Sequence, residues 1–184
     1  MSTRRDLIKL GLAAGAAGLA SPVQSWAAAP ISTTPRILSV QNLHTGEKMT
    51  ACYYENGKFI PDACAALNKV LRDHRSGDVH MMDPGLYDIL ANVAAKLEKR
   101  PTFQIISGYR SPVSNALLKR TGGGGVATHS LHMEGKAMDV RLPGVALKDL
   151  HGAALGLRKG GVGYYPVSNF VHVDTGRVRQ WSGA

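Results

Sequence analysis

Apolar residues recur at every third or fourth position in parts of the chain, a period typical of amphipathic helices. In one such segment Leu67, Val70 and Leu71 share a face. In the next, Pro84 suits the first helical turn and Asp83 stands directly before it as a cap. We predict four helices, over residues 62–75, 84–99, 113–120 and 146–157.

Short apolar runs rich in β-forming residues predict strands in the rest of the chain. The first two runs are separated by residues 44–47, a spacing typical of a β-hairpin. The last two flank a turn predicted at residues 166–169. We predict six strands, over residues 36–43, 48–54, 103–106, 136–142, 161–165 and 170–174. After the first two strands, helices come first and further strands later, which indicates an α+β fold.

The N-terminus has the order of a secretory signal: a basic region, an apolar region and a small-residue cleavage site. Arg4 and Arg5 are adjacent, residues 10–20 are apolar, and Ala27 ends the small-residue site. The paired arginines resemble those of twin-arginine signals. The apolar region is shorter than the roughly 20 residues of a membrane-spanning helix. We therefore predict cleavage after Ala27, with a retained membrane anchor as the alternative.

The predicted organisation is a signal over residues 1–27, a linker over residues 28–35 and one domain over residues 36–184. A domain of this length can bury one sizeable core. We expect the mature chain to be a periplasmic monomer without stable membrane insertion.

The chain is basic, with 22 Lys and Arg against 13 Asp and Glu and a formal net charge of +9. Such a charge favours an anionic partner through long-range attraction, although it also serves solubility. The sequence has no run of five or six basic residues and no nucleic-acid motif, so we expect no nucleic-acid partner. An anionic cell-wall polymer fits an exported protein better.

Two cysteines, Cys52 and Cys64, occur in the chain. In an oxidising compartment they could form a disulfide that closes a short loop. Two buried free thiols are equally compatible with the sequence. Their spacing does not match a zinc knuckle.

The residues with the most informative chemistry are His132, Asp139 and His172. Two imidazoles and one carboxylate are a suitable ligand set for catalytic zinc, and they leave a fourth position for water. Asp139 lies in an otherwise apolar strand, where an unpaired carboxylate is costly. Either a metal or a nearby arginine would remove that cost. Other histidines fit structural roles, namely His44, His74, His80 and His151, and His129 adjoins the motif without matching a ligand position.

The motif S-x-H-x-x-G-x-A-x-D, followed by a histidine in a strand, resembles the zinc peptidases of the D-Ala-D-Ala carboxypeptidase and VanX-like group. The segments ISGYRS, GVGYYP, SNFVHVDTG, RILSVQNLHTGE and DPGLYD resemble the murein endopeptidase K type of exported wall hydrolase. The resemblance covers nearly the whole mature chain. It implies an antiparallel sheet with flanking helices in the hedgehog/D-Ala-D-Ala peptidase-like fold. It also implies one zinc ion per chain, held by His132, Asp139 and His172.

The resemblance assigns roles to further residues. Arg110, in SGYRS, matches the arginine that stabilises negative charge on the attacked carbonyl or binds a substrate carboxylate, and a structural salt bridge is its alternative. Ser130 could contact substrate or form a turn. Tyr109 and Tyr164 are further substrate-binding candidates. Of the consecutive Tyr164 and Tyr165, one is expected to line the cleft and the other to be core.

At the position of the general base this chain departs from the family pattern. Asn169 stands where several of them have an acidic residue, and Phe170 where others have a histidine. The nearest carboxylate is then Asp174, which could act as the base or orient His172 from behind. Glu134 is a further candidate, although it could point outward.

The resemblance implies a zinc endopeptidase that cuts peptidoglycan cross-links in the region of D-Ala and meso-diaminopimelate. Stem peptides of peptidoglycan are then the partner. A carboxypeptidase that trims stem peptides is the alternative enzyme. A wall-binding module with a structural zinc ion is the alternative from another class.

Overall fold

A computed structural model describes residues 34–98, 102–121 and 126–183. The predicted signal over residues 1–27 lies outside the described residues, as does the predicted linker except for its last two residues. Within the described ranges, no helix combines the length and apolar character needed to cross a membrane.

The described chain forms an α+β fold, as predicted. Its strands are β1 (Arg36–Asn42), β2 (Lys48–Glu55), β3 (Lys58–Phe59), β4 (Thr102–Ser107), β5 (Ala137–Arg141), β6 (Gly161–Tyr165), β7 (Phe170–Asp174) and β8 (Arg179–Ser182). Its helices are α1 (Pro61–Val70), α2 (Pro84–Lys96), α3 (Pro112–Thr121) and α4 (Leu147–Leu155), with a short 3₁₀ turn at Leu131–Glu134.

The strands form one sheet in the order β3-β2-β1-β4-β5-β7-β6-β8. The sheet is mixed, because β1 pairs with β4 and β6 pairs with β8 in parallel. The expectation of an antiparallel sheet is therefore correct for most strand pairs and wrong for these two. Strands β3 and β8 were not predicted, since β3 has two residues and β8 lacks an apolar alternation.

The predicted hairpin is present, and its turn follows from local chemistry. The Asn42 carboxamide oxygen accepts hydrogen bonds from the backbone N–H groups of His44 and Thr45 at 2.9 and 3.2 Å. Gly46 has φ +75°, a backbone conformation that glycine adopts without a steric cost. An asparagine side chain that bonds the backbone two residues on is a common way to start such a turn.

Helix α2 begins as predicted, with Pro84 in its first turn and Asp83 as its cap. The Asp83 carboxylate accepts a hydrogen bond from the Gly85 N–H at 2.8 Å. The apolar faces of α1 and α2 contribute to a single core against the sheet. Leu67, Val70 and Leu71, which were predicted to share a face, are buried there together with Leu86, Leu90 and Val93 of α2.

Helix α1 ends at Val70 rather than at residue 75. The cause is Asp73, whose buried carboxylate accepts a hydrogen bond from the Arg75 N–H at 2.9 Å. A side chain that bonds its own backbone competes with the helix. The other Asp73 oxygen accepts from the Ser111 N–H at 2.8 Å, which joins this turn to the segment after β4.

Cys52 and Cys64 are separate thiols in this structure. The Cys52 Sγ donates to the Tyr54 carbonyl at 3.5 Å. Of the two possibilities that the sequence left open, the structure therefore contains free thiols, and both residues are half-buried rather than buried.

Candidate metal centre

Two of the predicted ligands lie side by side in the middle of the sheet. Asp139 of β5 and His172 of β7 are directly paired across the antiparallel ladder. Their strand neighbours are buried in the core: Met138, Val140, Val171 and Val173. Because successive residues of a strand point to opposite faces, Asp139 and His172 both project from the face away from that core.

His132 reaches the same place from the 3₁₀ turn at Leu131–Glu134. Ser130 caps this turn by accepting a hydrogen bond from the His132 N–H at 3.4 Å. Gly135 ends it with φ +67°, and a side chain there would collide with the Met81 carbonyl. The glycine of the sequence motif is therefore required by backbone geometry, and it turns the chain into β5.

The three side chains bring one ligand atom each to a common point. Asp139 Oδ1 lies 2.9 Å from His172 Nδ1 and 3.3 Å from His132 Nε2. The two imidazole nitrogens are 3.3 Å apart. Tetrahedral zinc with bonds of about 2.0–2.2 Å places its ligand atoms about 3.3 Å from one another. The triangle therefore has the size and the donor set of a zinc site.

In each histidine, the ring nitrogen that points away from the cluster also has a hydrogen-bond partner. His132 Nδ1 lies 2.8 Å from the Gly108 carbonyl, and His172 Nε2 lies 3.1 Å from Asp174 Oδ2. A proton on the nitrogen that faces the outer partner leaves the other nitrogen of each ring free for a metal. This arrangement is common around protein-bound metals, where the outer partner fixes the tautomer and the orientation of the ring.

The three side chains of the cluster influence one another's pKa values. Burial lowers the pKa of His132, which favours the neutral imidazole that a metal needs. Burial alone would raise the pKa of Asp139, but the two imidazoles hold it below its ordinary value. Burial also opposes the charging of His172, but Asp139 and Asp174 on its two sides raise its pKa to about 9. The site thus favours a positive charge between two carboxylates, and a metal ion can supply that charge.

Asp174 lies behind His172 and is completely buried. Its carboxylate accepts from the Gly161 and Gly176 N–H groups at 3.0 and 2.8 Å. Arg179 forms an ion pair with it through both terminal nitrogens, at 3.0 and 2.7 Å. These donors and His172 occupy both of its oxygens.

Glu134, the other candidate for a base, lies away from the cluster, and so does Asn169, which stands where relatives have an acidic residue. Glu134 is exposed and forms an ion pair with Lys136 at 2.9 Å. Asn169 lies exposed in the turn between β6 and β7, with φ +52°. The structure therefore brings neither residue to the three ligand atoms.

Arg110 lies directly beside the predicted ligands. Its Nη2 is 3.6 Å from Asp139 Oδ2 and donates to Ser107 Oγ at 3.3 Å. Its backbone N–H donates to the His132 carbonyl at 3.2 Å. Its Nε is buried and has no hydrogen-bond partner among the described residues. Burial lowers the pKa of Arg110, and the Asp139 carboxylate opposes that effect.

The predicted substrate-binding residues have different positions. Ser130 is buried as the cap of the 3₁₀ turn. Tyr109 lies next to Arg110, where its ring stacks on His80 with the centroids 4.6 Å apart. Tyr164 contacts His151 of α4, with ring centroids 4.8 Å apart. The structure therefore does not bring Tyr164 to the predicted ligands, since it projects from the opposite face of the sheet.

Several residues at the site were not found from the sequence. They are Trp181 and Arg179 near His172, and Asp73 behind the Arg110 segment, whereas Tyr165 was named only as the alternative to Tyr164. The alternation within β6 separates Tyr164 from Tyr165, but only the pairing of Gly163 with His172 shows which tyrosine shares the face of the ligands. Strand β8, which carries Arg179 and Trp181, lacks the alternation of apolar and polar residues that would predict a strand.

Comparisons with known proteins agree with this geometry. Residues 30–181 match the family model described as peptidoglycan L,D-endopeptidase MepK. The chain is 46% identical over 182 residues to the peptidoglycan L,D-endopeptidase MepK of Escherichia coli strain K12, covering 98% of this chain and 97% of that protein. It is 41% identical over 174 residues to the probable peptidoglycan L,D-endopeptidase MepK of Haemophilus influenzae, covering 94% and 91%. No solved structure shows a significant match.

Proposed function

This chain belongs to the peptidoglycan L,D-endopeptidase MepK family, and we propose that it is a zinc-dependent hydrolase of peptide cross-links in peptidoglycan. The observation that carries this proposal is the buried triangle of His132 Nε2, Asp139 Oδ1 and His172 Nδ1, with sides of 2.9 to 3.3 Å. We take zinc as the metal because two imidazoles and one carboxylate are a frequent ligand set of catalytic zinc.

A bound zinc ion would acidify water and polarise the attacked carbonyl. The protein's own contribution begins with Arg110, a permanent charge held beside the cluster by the Ser107 hydroxyl and the His132 carbonyl. A guanidinium with fixed donors can stabilise the negative charge that develops on the carbonyl oxygen.

Asp174 acts in this proposal as a positioning residue rather than as the base. It is buried behind His172, and its oxygens accept from that ring, from two backbone N–H groups and from Arg179. It fixes His172 so that Nδ1 points to the other two ligand atoms and would be available to a metal. A carboxylate so enclosed has no free path to substrate.

The substrate that fits these features is a cross-linked stem peptide. The names of the relatives denote cleavage of a bond between an L-centre and a D-centre, and we propose the same bond type here, in the region of D-Ala and meso-diaminopimelate. The net charge of +9 would attract the anionic wall. The predicted signal would deliver the protein to the periplasm. We also propose that the sheet is a form of the hedgehog/D-Ala-D-Ala peptidase-like fold.

A carboxypeptidase remains a second candidate because of one observation. Arg110 is a fixed cation next to the cluster, and such a group can also bind the terminal carboxylate of a peptide. In that case the enzyme would shorten single stems and leave cross-links intact.

The test is incubation of the purified protein with L,D-cross-linked dimers, D,D-cross-linked dimers and single stem peptides, each with and without a chelator. We expect the L,D-linked dimers to be converted to monomers, as measured by mass spectrometry, and the chelator to stop the reaction. Loss of a terminal residue from single stems would favour the carboxypeptidase. Unchanged masses in all samples that contain zinc would contradict both enzyme functions.

A further inference from the structure

Three aromatic side chains lie together on the sheet face that carries the metal site. Tyr165 stacks on Phe170 with ring centroids 4.5 Å apart and an interplanar angle of 19°. The Trp181 ring lies 5.1 Å from the His172 ring. We call these three side chains the aromatic cluster. None of them is explained by the roles assigned above.

The strand register places the aromatic cluster beside the ligands. Gly163 is paired with His172, and Tyr165 is paired with Phe170 one repeat further along the same two strands. Residues two apart on a strand share a face, so Tyr165, Phe170 and His172 project from the same side of the sheet.

Trp181 reaches the site across Gly163. The two residues are paired in the parallel ladder between β6 and β8. The indole occupies the space next to the Gly163 Cα, because a Cβ there would lie 2.7 to 2.8 Å from three ring atoms. The absence of a side chain at Gly163 thus allows the indole to approach His172.

The indole holds the Tyr165 hydroxyl in a defined position. Trp181 Nε1 donates a hydrogen bond to Tyr165 Oη at 2.8 Å. An indole N–H can only donate, so the phenol oxygen is the acceptor and keeps its own proton for another partner. None of the described residues accepts that proton.

We propose that Tyr165 is a substrate-binding residue, whose hydroxyl donates a hydrogen bond to an oxygen of the bound peptide next to the metal centre. Trp181 and Gly163 are positioning residues, since they act through the location of that hydroxyl. This inference rests on the proposed peptidase function and adds to it a second donor beside Arg110. A stem peptide offers suitable acceptors in its carbonyl and carboxylate oxygens.

Tyr165→Phe tests the inference, and Tyr164→Phe is its matched control. Both changes remove one hydroxyl, but Tyr164 projects from the face of β6 that packs near His151. We expect Tyr165→Phe to lower kcat/KM for the L,D-linked dimer by about 3- to 10-fold, the range for one hydrogen bond between uncharged groups. Tyr164→Phe should retain the wild-type value.

A binding measurement separates this inference from the proposed function. In a chain that carries Trp26→Phe, Trp181 is the sole tryptophan, and its fluorescence reports directly on the site. We expect the affinity of the zinc-loaded protein for the stem-peptide monomer to fall by a similar factor in Tyr165→Phe, with bound zinc unchanged. Equal affinity and equal kcat/KM in the two tyrosine variants would overturn the role of Tyr165. Loss of zinc from Tyr165→Phe would overturn it too, in favour of a structural role. A wild-type protein that binds the monomer but cleaves no dimer would overturn the proposed function alone.

The positioning role of Trp181 has its own readout, a double-mutant cycle with calorimetric affinities for the same monomer. Trp181→Phe keeps an aromatic ring but removes the N–H that orients the phenol. If Trp181 acts through the Tyr165 hydroxyl, the double variant Tyr165→Phe/Trp181→Phe should bind no more weakly than Tyr165→Phe alone. If each single substitution lowers the affinity and the two factors multiply in the double variant, the result would contradict this arrangement.

Discussion

The carboxylate of Asp174 contacts His172 on the side away from the other two ligands. An aspartate two residues after a metal ligand can serve as a base or as an outer partner, and the sequence allows both. The structure favours the outer partner, because Asp174 is completely buried and both of its oxygens accept from several donors. A substitution of Asp174 should therefore affect the reaction only indirectly, by changing how His172 binds the metal.

Asp174→Asn should weaken zinc binding by about 10- to 100-fold, the usual effect of changing an outer partner of a ligand. At saturating zinc, kcat should return close to the wild-type value, because no proton transfer depends on this carboxylate. The measurements are zinc affinity by chelator competition and kcat as a function of free zinc. Glu134→Gln is the matched control, since this exposed carboxylate pairs with Lys136. Wild-type zinc affinity together with a large loss of kcat would identify Asp174 as the base instead.

Arg110 lies 3.6 Å from the Asp139 carboxylate, and its role can be separated from that of the metal. Arg110→Ala should lower kcat/KM by about 100-fold or more, as for the loss of one donor to a developing negative charge. Arg110→Lys should recover only part of that loss, since an ammonium lacks the planar fork. Bound zinc should stay the same in both variants. Arg120→Ala, an exposed change near the end of α3, is the control, and equal kcat/KM in Arg110→Ala and this control would contradict the assignment.

At the scale of elements, the sequence predicted the helices and strands that have a clear apolar period. It placed the cap of α2 at Asp83 and the core face of α1 at Leu67 and Leu71, and the structure confirms both. It also singled out the three residues that the structure brings together. It extended α1 too far, because the Asp73 carboxylate that ends the helix accepts from the Arg75 N–H and is held in place by Ser111, far along the chain. It missed β8 because that strand is defined by its pairing with β6 rather than by its own residues.

Hydrogen bonds hold the segment that carries Arg110 between the end of α1 and the 3₁₀ turn at Leu131–Glu134. No pattern in the sequence indicates that these two elements lie close together. On one side the Tyr109 N–H donates to the Leu71 carbonyl at 2.8 Å, and the Ser111 N–H donates to Asp73 at the same distance. On the other side the Arg110 N–H donates to the 3₁₀ turn at His132. The end of α1 therefore positions the arginine next to the metal ligands.

Asp73→Asn should destabilise the fold by about 2 kcal/mol at neutral pH, since hydrogen bonds to a charged acceptor contribute about 1.5–3 kcal/mol. Burial alone would raise the pKa of Asp73, but bonds from Ser111, Ser114 and Arg75 hold it below its ordinary value of 3.8. A depressed pKa in the folded state gives stability that is present above pH 3.8 and is lost as the pH falls further. The difference between wild type and variant should therefore shrink in urea unfolding below that pH.

The control for this prediction is Asp78→Asn, the same chemical change at an exposed residue of the same loop, whose side chain bonds Ser76. It should leave the free energy of unfolding within about 0.5 kcal/mol of wild type, as most surface changes do. A difference between wild type and Asp73→Asn that stays constant from neutral pH to pH 2 would show that the charge of Asp73 is not what stabilises the turn.

At the scale of the whole molecule, the site depends on contacts between distant parts of the chain. His132 comes from a turn, while Asp139 and His172 come from strands paired in the middle of the sheet. The outer partners Gly108 and Asp174 come from two further positions. No short segment contains the complete set, so the ligands meet only when the sheet has formed.

A metal that binds such a site stabilises the folded chain, because the unfolded chain lacks the assembled ligands. At a zinc concentration 100 to 1,000 times the dissociation constant, the gain is about 2.7–4.1 kcal/mol. For a chain of this size about 1 kcal/mol changes the melting temperature by 2–4 °C, so removal of zinc should lower it by roughly 5–15 °C. Calorimetry of the chelated and the zinc-loaded protein measures this shift. Asp139→Ala supplies the control, because a protein without this ligand should bind little zinc, melt at the same temperature in both conditions and cleave no dimer. If the wild type also melts identically with and without zinc, the triangle of His132, Asp139 and His172 does not hold this metal.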